Sequence, residues 1–185
     1  PQYPRGIQEG NGVPADGDLW VSYSVNKEDM WISRIPVPVE INASAHADDD
    51  FSKNKSIAEL TDWNIYSPVW APVSLEDQWL KLQDKDPFDY AKVERKIPAS
   101  KELKVSFDLK AGQNNKGTLQ IEFLDENGIA CSRMELTDDG IFRLKGGSRF
   151  ANMMKYEAGK VYHVEAVLST VDRNIQVYVD GKRVG

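Results

Sequence analysis

Apolar and polar residues alternate with a period of two in several short runs along the chain. This pattern is typical of half-buried antiparallel strands, because successive side chains of a strand point to opposite faces of the sheet. The clearest runs span 103–109, 119–123, 141–144, 161–168 and 175–179. Turn-forming pairs separate them, namely Asn127-Gly128, Asp139-Gly140, Ala158-Gly159 and Asp180-Gly181. The pattern predicts an all-β antiparallel sandwich over residues 61–185, and only the window 54–60 is compatible with a helical turn.

The first forty residues follow a different plan. Runs at 18–25 and 30–35 predict two strands joined by a four-residue turn, and Pro36 and Pro38 then prevent further pairing. A lone hairpin is marginal in water, so its apolar side chains need another surface. Residues 41–60 include small and charged side chains that bury little, and we interpret them as a linker. The predicted organisation is a hairpin segment at 1–40, a linker at 41–60 and a sandwich at 61–185.

Composition narrows the possible partners. The 185 residues carry 23 Lys and Arg against 29 Asp and Glu, a net charge of −6, and no stretch concentrates the basic residues. This argues against a nucleic-acid partner. No apolar run approaches the ~18 residues of a membrane span. The single cysteine, Cys131, cannot form an internal disulfide. Because the chain begins at Pro1 without a leader pattern and stops just after a strand and turn, we expect it to be a piece of a longer protein.

Two stretches carry family resemblances. Residues 17–39, GDLWVSYSVNKEDMWISRIPVPV, resemble the closing segment of secreted sialidase-like β-propellers of the BNR-repeat type. Residues 63–72 (WNIYSPVWAP), 80–95 (LKLQDKDPFDYAKVER) and 177–182 (VYVDGK) resemble the concanavalin-A-like, laminin-G-like module that follows such propellers in large bacterial polysaccharide-degrading proteins.

These resemblances imply a jelly-roll β-sandwich preceded by a hairpin from a propeller blade. They also imply a bacterial protein that is secreted, periplasmic or on the cell surface. Its partners would be a polysaccharide or other glycan and the rest of the parent propeller. The chain lacks the Ser-x-Asp-x-Gly-x-x-Trp box and the dispersed arginines of a sialidase, so no catalytic set is expected within it.

Carboxylate pairs were the first candidates for chemistry, since glycoside cleavage uses two carboxyl groups about 5 to 10 Å apart. The nearest candidates are Glu122 with Asp125, and Glu94 alone. Glu122 and Asp125 differ by three positions, which places them on opposite faces of a regular strand, so we interpret them as a solvated strand face and a turn. We predict that His163 is an exposed strand residue and that Cys131 is packed or half-exposed. No catalytic residue is predicted.

Oxygen ligands for a metal occur in two acidic stretches, at 48–50 and 84–89. A weak Ca²⁺ site could use Asp84, Asp86 and Asp89, but neither stretch has the Gly and distal Glu of an EF-hand loop. Acidic side chains that cap turns are the more common alternative. No other cofactor is expected.

Aromatic residues give the strongest indication of a binding site. Sugar rings present apolar C–H faces that stack on aromatic planes, while nearby amides and acids bond to the hydroxyls. Trp and Tyr also anchor sandwich cores and interdomain seams, and this is their more common use. The predicted substrate-binding residues are Trp63, Tyr66, Trp70, Trp79, Asp86, Tyr90 and Arg95, in a cluster that also contains Phe88.

The hairpin offers a second set of candidates. Tyr23, Asn26, Lys27 and Glu28 lie at or near a blade turn, where propellers bind ligands at one end of the central channel. A charged four-residue turn that only favours solubility explains the same residues, and we prefer that interpretation.

The sequence therefore predicts a non-catalytic accessory module, carbohydrate-binding or structural, of a secreted polysaccharide-degrading protein of the sialidase or glycoside-hydrolase type. Two alternatives stay open. One is a glycoside hydrolase or lyase whose catalytic propeller lies mostly outside this chain. The other is a protein-binding adhesion domain.

Overall fold

The computed structural model describes residues 5–8, 17–25, 29–35 and 46–185. The chain divides into two compact units, Pro1–Pro98 and Ala99–Gly185. Within the described ranges the regular structure is β, apart from one 3-10 turn at Ile57–Glu59, inside the window where the sequence allows a helical turn. None of the helical structure described there is long or apolar enough to cross a membrane.

The first unit contains a three-stranded antiparallel sheet of β1 (Arg5–Gln8), β2 (Leu19–Val25) and β3 (Asp29–Ile35), in the order β1-β2-β3. Strands β2 and β3 form the predicted hairpin. The sequence analysis missed β1, which pairs with β2 from Arg5 opposite Ser22 to Gln8 opposite Leu19. Four residues that include a glycine are too few to show a period, so sequence alone gives no strand signal there.

Two further strand pairs lie in the first unit. Both strands of one pair lie, in sequence, between the two strands of the other. Strand β4 (Trp63–Tyr66) pairs with β7 (Lys92–Arg95), and between them β5 (Val73–Glu76) forms a hairpin with β6 (Trp79–Leu82). The buried apolar side chains here are Leu60, Ala71 and Val73. The division into units falls after Pro98, whereas the sequence analysis began the sandwich at residue 61; those domain boundaries stay a prediction.

The second unit is a β-sandwich of two four-stranded antiparallel sheets. One sheet has the order β12-β11-β10-β9 and the other β15-β14-β13-β8. Every strand predicted from alternation in this region is present. The strands are β8 (Glu102–Lys110), β9 (Leu119–Leu124), β10 (Ala130–Leu136), β11 (Ile141–Gly146), β12 (Arg149–Lys155), β13 (Val161–Ser169), β14 (Asn174–Val179) and β15 (Lys182–Arg183).

The core of the second unit lies between its two sheets. Met134 and Phe142 come from one sheet, and Val164 and Val177 from the other, and all four belong to one buried cluster. On β8 the exposed and half-buried residues alternate strictly, as a strand with one wet and one packed face requires. Each fully buried side chain of this size stabilises the fold by roughly 1.5–3 kcal/mol.

Met134 allows a direct test of this core. It is fully buried, and we expect Met134→Ala to lower the free energy of unfolding by about 2–5 kcal/mol, because the truncation leaves a cavity between the sheets. Urea unfolding followed by far-UV circular dichroism measures the loss. The control is Val171→Ala at an exposed position, which should change stability by less than about 0.5 kcal/mol. Equal losses for the two variants would contradict the assigned core.

The turn between β14 and β15 has a left-handed backbone at both central residues, with φ of 50° at Asp180 and 76° at Gly181. This geometry matches the right-handed twist of the flanking strands, and glycine adopts it without steric cost. No atom lies near a Cβ built on Gly181, so only the backbone resists a side chain there.

We therefore expect Gly181→Ala to destabilise the protein by about 1 kcal/mol, the cost of the left-handed conformation for an L-residue. Gly112→Ala is the matched control, because its Cβ also meets open space and its φ lies outside the left-handed region. That variant should be neutral or stabilising by up to about 1 kcal/mol. The two unfolding midpoints in urea decide the prediction, which fails if Gly181→Ala is the more stable variant.

Candidate functional site

The enclosed hairpin brings two loops of the first unit side by side. Loop 67–72 leads from β4 to β5, and loop 83–91 leads from β6 back to β7. Because β4 pairs with β7 and β5 with β6, the two loops join the same two strand pairs. Backbone hydrogen bonds join them, from the Gln83 N–H to the Pro72 carbonyl (3.0 Å) and from the Lys85 N–H to the Trp70 carbonyl (2.9 Å). The Ser67 hydroxyl oxygen accepts a bond from the Val73 N–H at 2.8 Å. Residues distant in sequence thus meet on one local surface.

Four aromatic side chains on these loops and at their edges are exposed to solvent. Their exposed fractions are 48% for Tyr66, 67% for Trp70, 96% for Phe88 and 59% for Tyr90. Tyr66 and Tyr90 are in ring contact, with centroids 5.5 Å apart and planes inclined by 51°. We call these four residues the aromatic platform. Contiguous exposed apolar surface, as the rings of Tyr66 and Tyr90 form here, is typical of a binding surface.

Acidic side chains fix the shape of the 83–91 loop. The Asp84 carboxylate accepts the Asp86 N–H at 2.8 Å, and the Asp86 carboxylate accepts the Phe88 N–H at 2.9 Å. Asp89 accepts the Tyr90 N–H at 2.9 Å and the Tyr66 hydroxyl at 3.0 Å. These carboxylates therefore act as turn caps, and Asp89 ties the loop to β4.

The weak calcium candidate finds no support in this arrangement. Within residues 5–8, 17–25, 29–35 and 46–185, no group of three or more His, Cys, Asp or Glu side chains is placed to hold a metal ion. Asp84, Asp86 and Asp89 are spread along the loop and each accepts a backbone N–H, so their assignment as a ligand set stays a prediction.

The Asp89 carboxylate also sets the acidity of Tyr66. The hydrogen bond from the Tyr66 hydroxyl to Asp89 raises the pKa of the phenol above its ordinary value of 10.0, because ionisation would remove the donor. Desolvation and the negative charges of Asp89 and Asp86 act in the same direction. Both carboxylates therefore lie close enough to influence the platform electrostatically.

Polar side chains lie beside the platform on the outward face of β4 and β7. Lys92 stands opposite Tyr66 and Glu94 opposite Asn64, so the four side chains share one face. The Asn64 amide donates to Glu94 at 2.9 Å, and the Lys92 ammonium lies 3.0 Å from the same carboxylate. Sequence reasoning did not include Asn64 or Lys92 and considered Glu94 only alone, because pairing across 26 or more residues leaves no trace in a single sequence.

Two of the predicted binding residues lie on the opposite face of this strand pair. Trp63 and Arg95 are cross-strand partners, and the Trp63 ring lies 5.9 Å from the ring of Phe51. The Arg95 side chain is 12% exposed and forms ion pairs with Asp49 (3.1 Å) and Asp62 (3.3 Å). Both side chains therefore have structural partners. Their predicted role in substrate binding stays a prediction, separate from the platform.

Trp79 is half-buried at the start of β6, opposite Glu76 in the hairpin. In the sheet β1–β3, the Tyr23 hydroxyl shares a hydrogen bond of 2.9 Å with the Ser33 hydroxyl across β2 and β3. The other three candidates there, Asn26, Lys27 and Glu28, lie outside the described residues.

The acidic candidates of the second unit have the structural roles that we inferred. Glu122 accepts a hydrogen bond from the Arg133 guanidinium at 2.7 Å on a strand face. Asp125 caps a turn by accepting the Asn127 and Ile129 N–H groups, both at 2.9 Å. These bonds lower the pKa of Asp125, with the Ile129 contribution the largest. These are ordinary turn and strand contacts.

His163 and Cys131 also lie at the surface of the second unit. His163 is exposed, as its strand phase predicts, and its Nδ1 lies 2.8 Å from Asp108 on the neighbouring strand. Cys131 is a free, exposed cysteine whose thiol donates to the Phe123 carbonyl. The sequence analysis expected a packed or half-exposed thiol. The irregular register between β10 and β9 at residues 130–132 changes the regular alternation there.

The fold and the site together define an all-β module with an exposed aromatic surface and hydrogen-bonding side chains beside it. Comparison with known proteins identifies its family: residues 63–185 match the family model described as "Sialidase-like, CBM domain", and the chain belongs to this family of sialidase-associated carbohydrate-binding modules. A solved structure described as "Sialidase" is similar to the chain, with 91% sequence identity and a TM-score of 0.84. The match covers 99% of this chain and 17% of that one. None of the curated proteins matches.

The Tyr66 and Asp89 contact can be tested by titration. We expect Asp89→Asn to lower the pKa of Tyr66 towards its ordinary value of 10.0, because an amide oxygen is a weaker acceptor and carries no charge. The ¹³Cζ resonance of labelled tyrosine measures the pKa, with Tyr66→Phe assigning the signal. Asp125→Asn, a turn-capping acid of the second unit, should leave it unchanged. An unaltered Tyr66 titration in Asp89→Asn would contradict the contact.

Proposed function

We propose that this chain is a non-catalytic, carbohydrate-binding accessory module of a larger sialidase-like protein, and that the aromatic platform is the surface that binds glycan. The observation that supports this most directly is the exposure of Tyr66, Trp70, Phe88 and Tyr90 on two hydrogen-bonded loops. Family membership supports the class of function. The chain covers 17% of the matched sialidase, so its assignment to a sialidase-like parent protein is also part of this proposal.

The chemistry of the platform suits a sugar. The exposed rings of Trp70 and Tyr90 offer flat apolar faces on which the C–H groups of a pyranose can stack. The Asn64 amide, the Glu94 carboxylate and the Lys92 ammonium beside Tyr66 supply donors and acceptors for hydroxyl groups. An aromatic contact for stacking and a few fixed polar groups for orientation are the usual components of a small-ligand site.

The platform is also held in place before any ligand binds. Loop 83–91 is fixed by the bonds that Asp84, Asp86 and Asp89 accept, and by its ladder to the 67–72 loop. A surface ordered in advance loses less conformational entropy on binding, so more of the contact energy appears as affinity.

Several finer features complete the proposal. The sandwich of the second unit is of the concanavalin-A-like, laminin-G-like jelly-roll type, which is supported by its two four-stranded antiparallel sheets around one core. The sheet β1–β3 closes the last blade of a parent propeller of the BNR-repeat type, as the resemblance of residues 17–39 implies. The parent acts on polysaccharides and is secreted, periplasmic or on the surface of a bacterium.

Substitution of platform rings tests glycan binding. We expect Trp70→Ala and Tyr90→Ala each to weaken binding by roughly tenfold, about 1.4 kcal/mol, since each removes an aromatic contact of that order. Calorimetry with a panel of bacterial, plant and host oligosaccharides provides the affinities. In the unsubstituted chain the fluorescence of exposed Trp70 should shift to the blue as sugar covers it.

Phe150→Ala is the matched control, because Phe150 is an exposed aromatic residue of the second unit, in contact with Arg143. It should bind like the original chain. A chain that binds none of the glycans, or platform variants that bind as well as the control, would rule out the platform. Retention of a protein ligand without any glycan would favour the adhesion alternative.

A further inference from the structure

We infer that the aromatic platform binds uncharged glycan chains in preference to the same chains carrying sialic acid. This inference rests on the proposed function, and it gives the module a specificity distinct from that of a sialidase active site. The module would hold glycan from which the acidic sugar is absent or already removed.

Negative charge predominates beside the platform. Loop residues 84–90 contain three acids, Asp84, Asp86 and Asp89, and one base, Lys85, which leaves a local charge of −2. Asp89 bonds directly to Tyr66 at 3.0 Å, and the negative charge of Asp86 also acts on that phenol. A ligand stacked on Tyr66 and Tyr90 would therefore lie beside the Asp89 carboxylate, which contacts Tyr66 directly, and within the field of Asp86.

Most cations near the platform are already engaged in ion pairs. Among the described residues, neither Asp86 nor Asp89 has a lysine or arginine at ion-pair distance, and Lys92 is paired with Glu94 at 3.0 Å. Carboxylate ligands are recognised best by the two-pronged guanidinium of arginine. The single arginine in residues 63–95 is Arg95, and it faces inward between Asp49 and Asp62. Within the described residues, the platform thus has acceptors for hydroxyl groups but no unpaired guanidinium for a sialate. Lys85 is an exposed cation of the same loop, and the three acids of residues 84–90 outnumber it.

Asp86 and Asp89 retain spare hydrogen-bonding capacity. An ionised carboxylate has about four lone-pair positions. Asp89 uses its two oxygens for the Tyr90 N–H and the Tyr66 hydroxyl, and Asp86 uses one for the Phe88 N–H. The remaining positions can accept hydroxyl donors of a neutral sugar, whereas a sugar carboxylate offers only further acceptors at neutral pH.

The size of the preference follows from Coulomb's law. A sialate about 7 Å from two exposed carboxylates would be bound about three- to fivefold more weakly at an ionic strength of about 20 mM. At about 0.5 M salt, screening should reduce the preference to less than about twofold.

The experiment compares a sialylated oligosaccharide set with the same set after enzymatic desialylation, using the whole chain and calorimetry at both salt concentrations. We expect tighter binding of the desialylated set at low salt and convergence at high salt. The double variant Asp86→Asn with Asp89→Asn should lose the preference and bind both sets alike, though more weakly than the original chain. The stacking rings remain, and one amide oxygen at each position can still accept the Phe88 or Tyr90 N–H. Asp125→Asn, which removes one turn-capping acid in the second unit, should keep the preference.

Equal or tighter binding of the sialylated set at low salt would overturn this inference and leave glycan binding in place. A preference for the desialylated set that persists unchanged in the double variant would also overturn this inference and leave glycan binding in place. Failure to bind either set, or the wider glycan panel, would instead overturn the proposed function and this inference with it.

Discussion

The antiparallel pairing of β4 with β7 is the interaction on which the candidate site depends. These four-residue strands lie 26 or more positions apart, and their pairing closes a loop around the β5–β6 hairpin. Closing such a loop costs conformational entropy, which the ladder and the packing of its inward face must offset. Once it is closed, the two connecting loops have to run side by side, and Trp70 and Lys85 bond through their backbones. The platform is a consequence of this topology.

Alternation along β4 and β7 separates structural residues from those available for binding. The inward positions carry Trp63 and Arg95, which contact Phe51 and the acids Asp49 and Asp62. The outward positions place Tyr66 beside Lys92. A shift of the register by one residue would exchange the two faces and break the ion pairs of Arg95. Stability and the proposed function therefore depend on the same register.

Much of the fold could be predicted from sequence, because most of its information is local. The strands of the second unit follow the period-two pattern, and the turns with Gly128, Gly140 and Gly181 have the left-handed backbone that glycine favours. The candidate site was only partly predictable. Composition pointed to the aromatic cluster, but a single sequence does not show which residues face outward until β4 is paired with β7. Arg95 and Asn64 are the clearest examples: Arg95 was a binding candidate and lies on the face with Trp63, whereas Asn64 was not a candidate and lies on the face with Tyr66.

The open geometry of the platform fits a module that works while attached to a larger chain. Rings exposed to this degree cover only one side of a sugar, so each contact contributes modestly and the rest of the ligand stays hydrated. Tethering compensates for this, because a linked second site experiences an effective concentration of up to the millimolar range. A shallow, hydrogen-bonded surface can then keep the whole protein near a glycan, while the module itself still dissociates quickly from each glycan chain. In a sialidase-like protein, selectivity for uncharged chains would keep the module from competing with an active site for the acidic sugar.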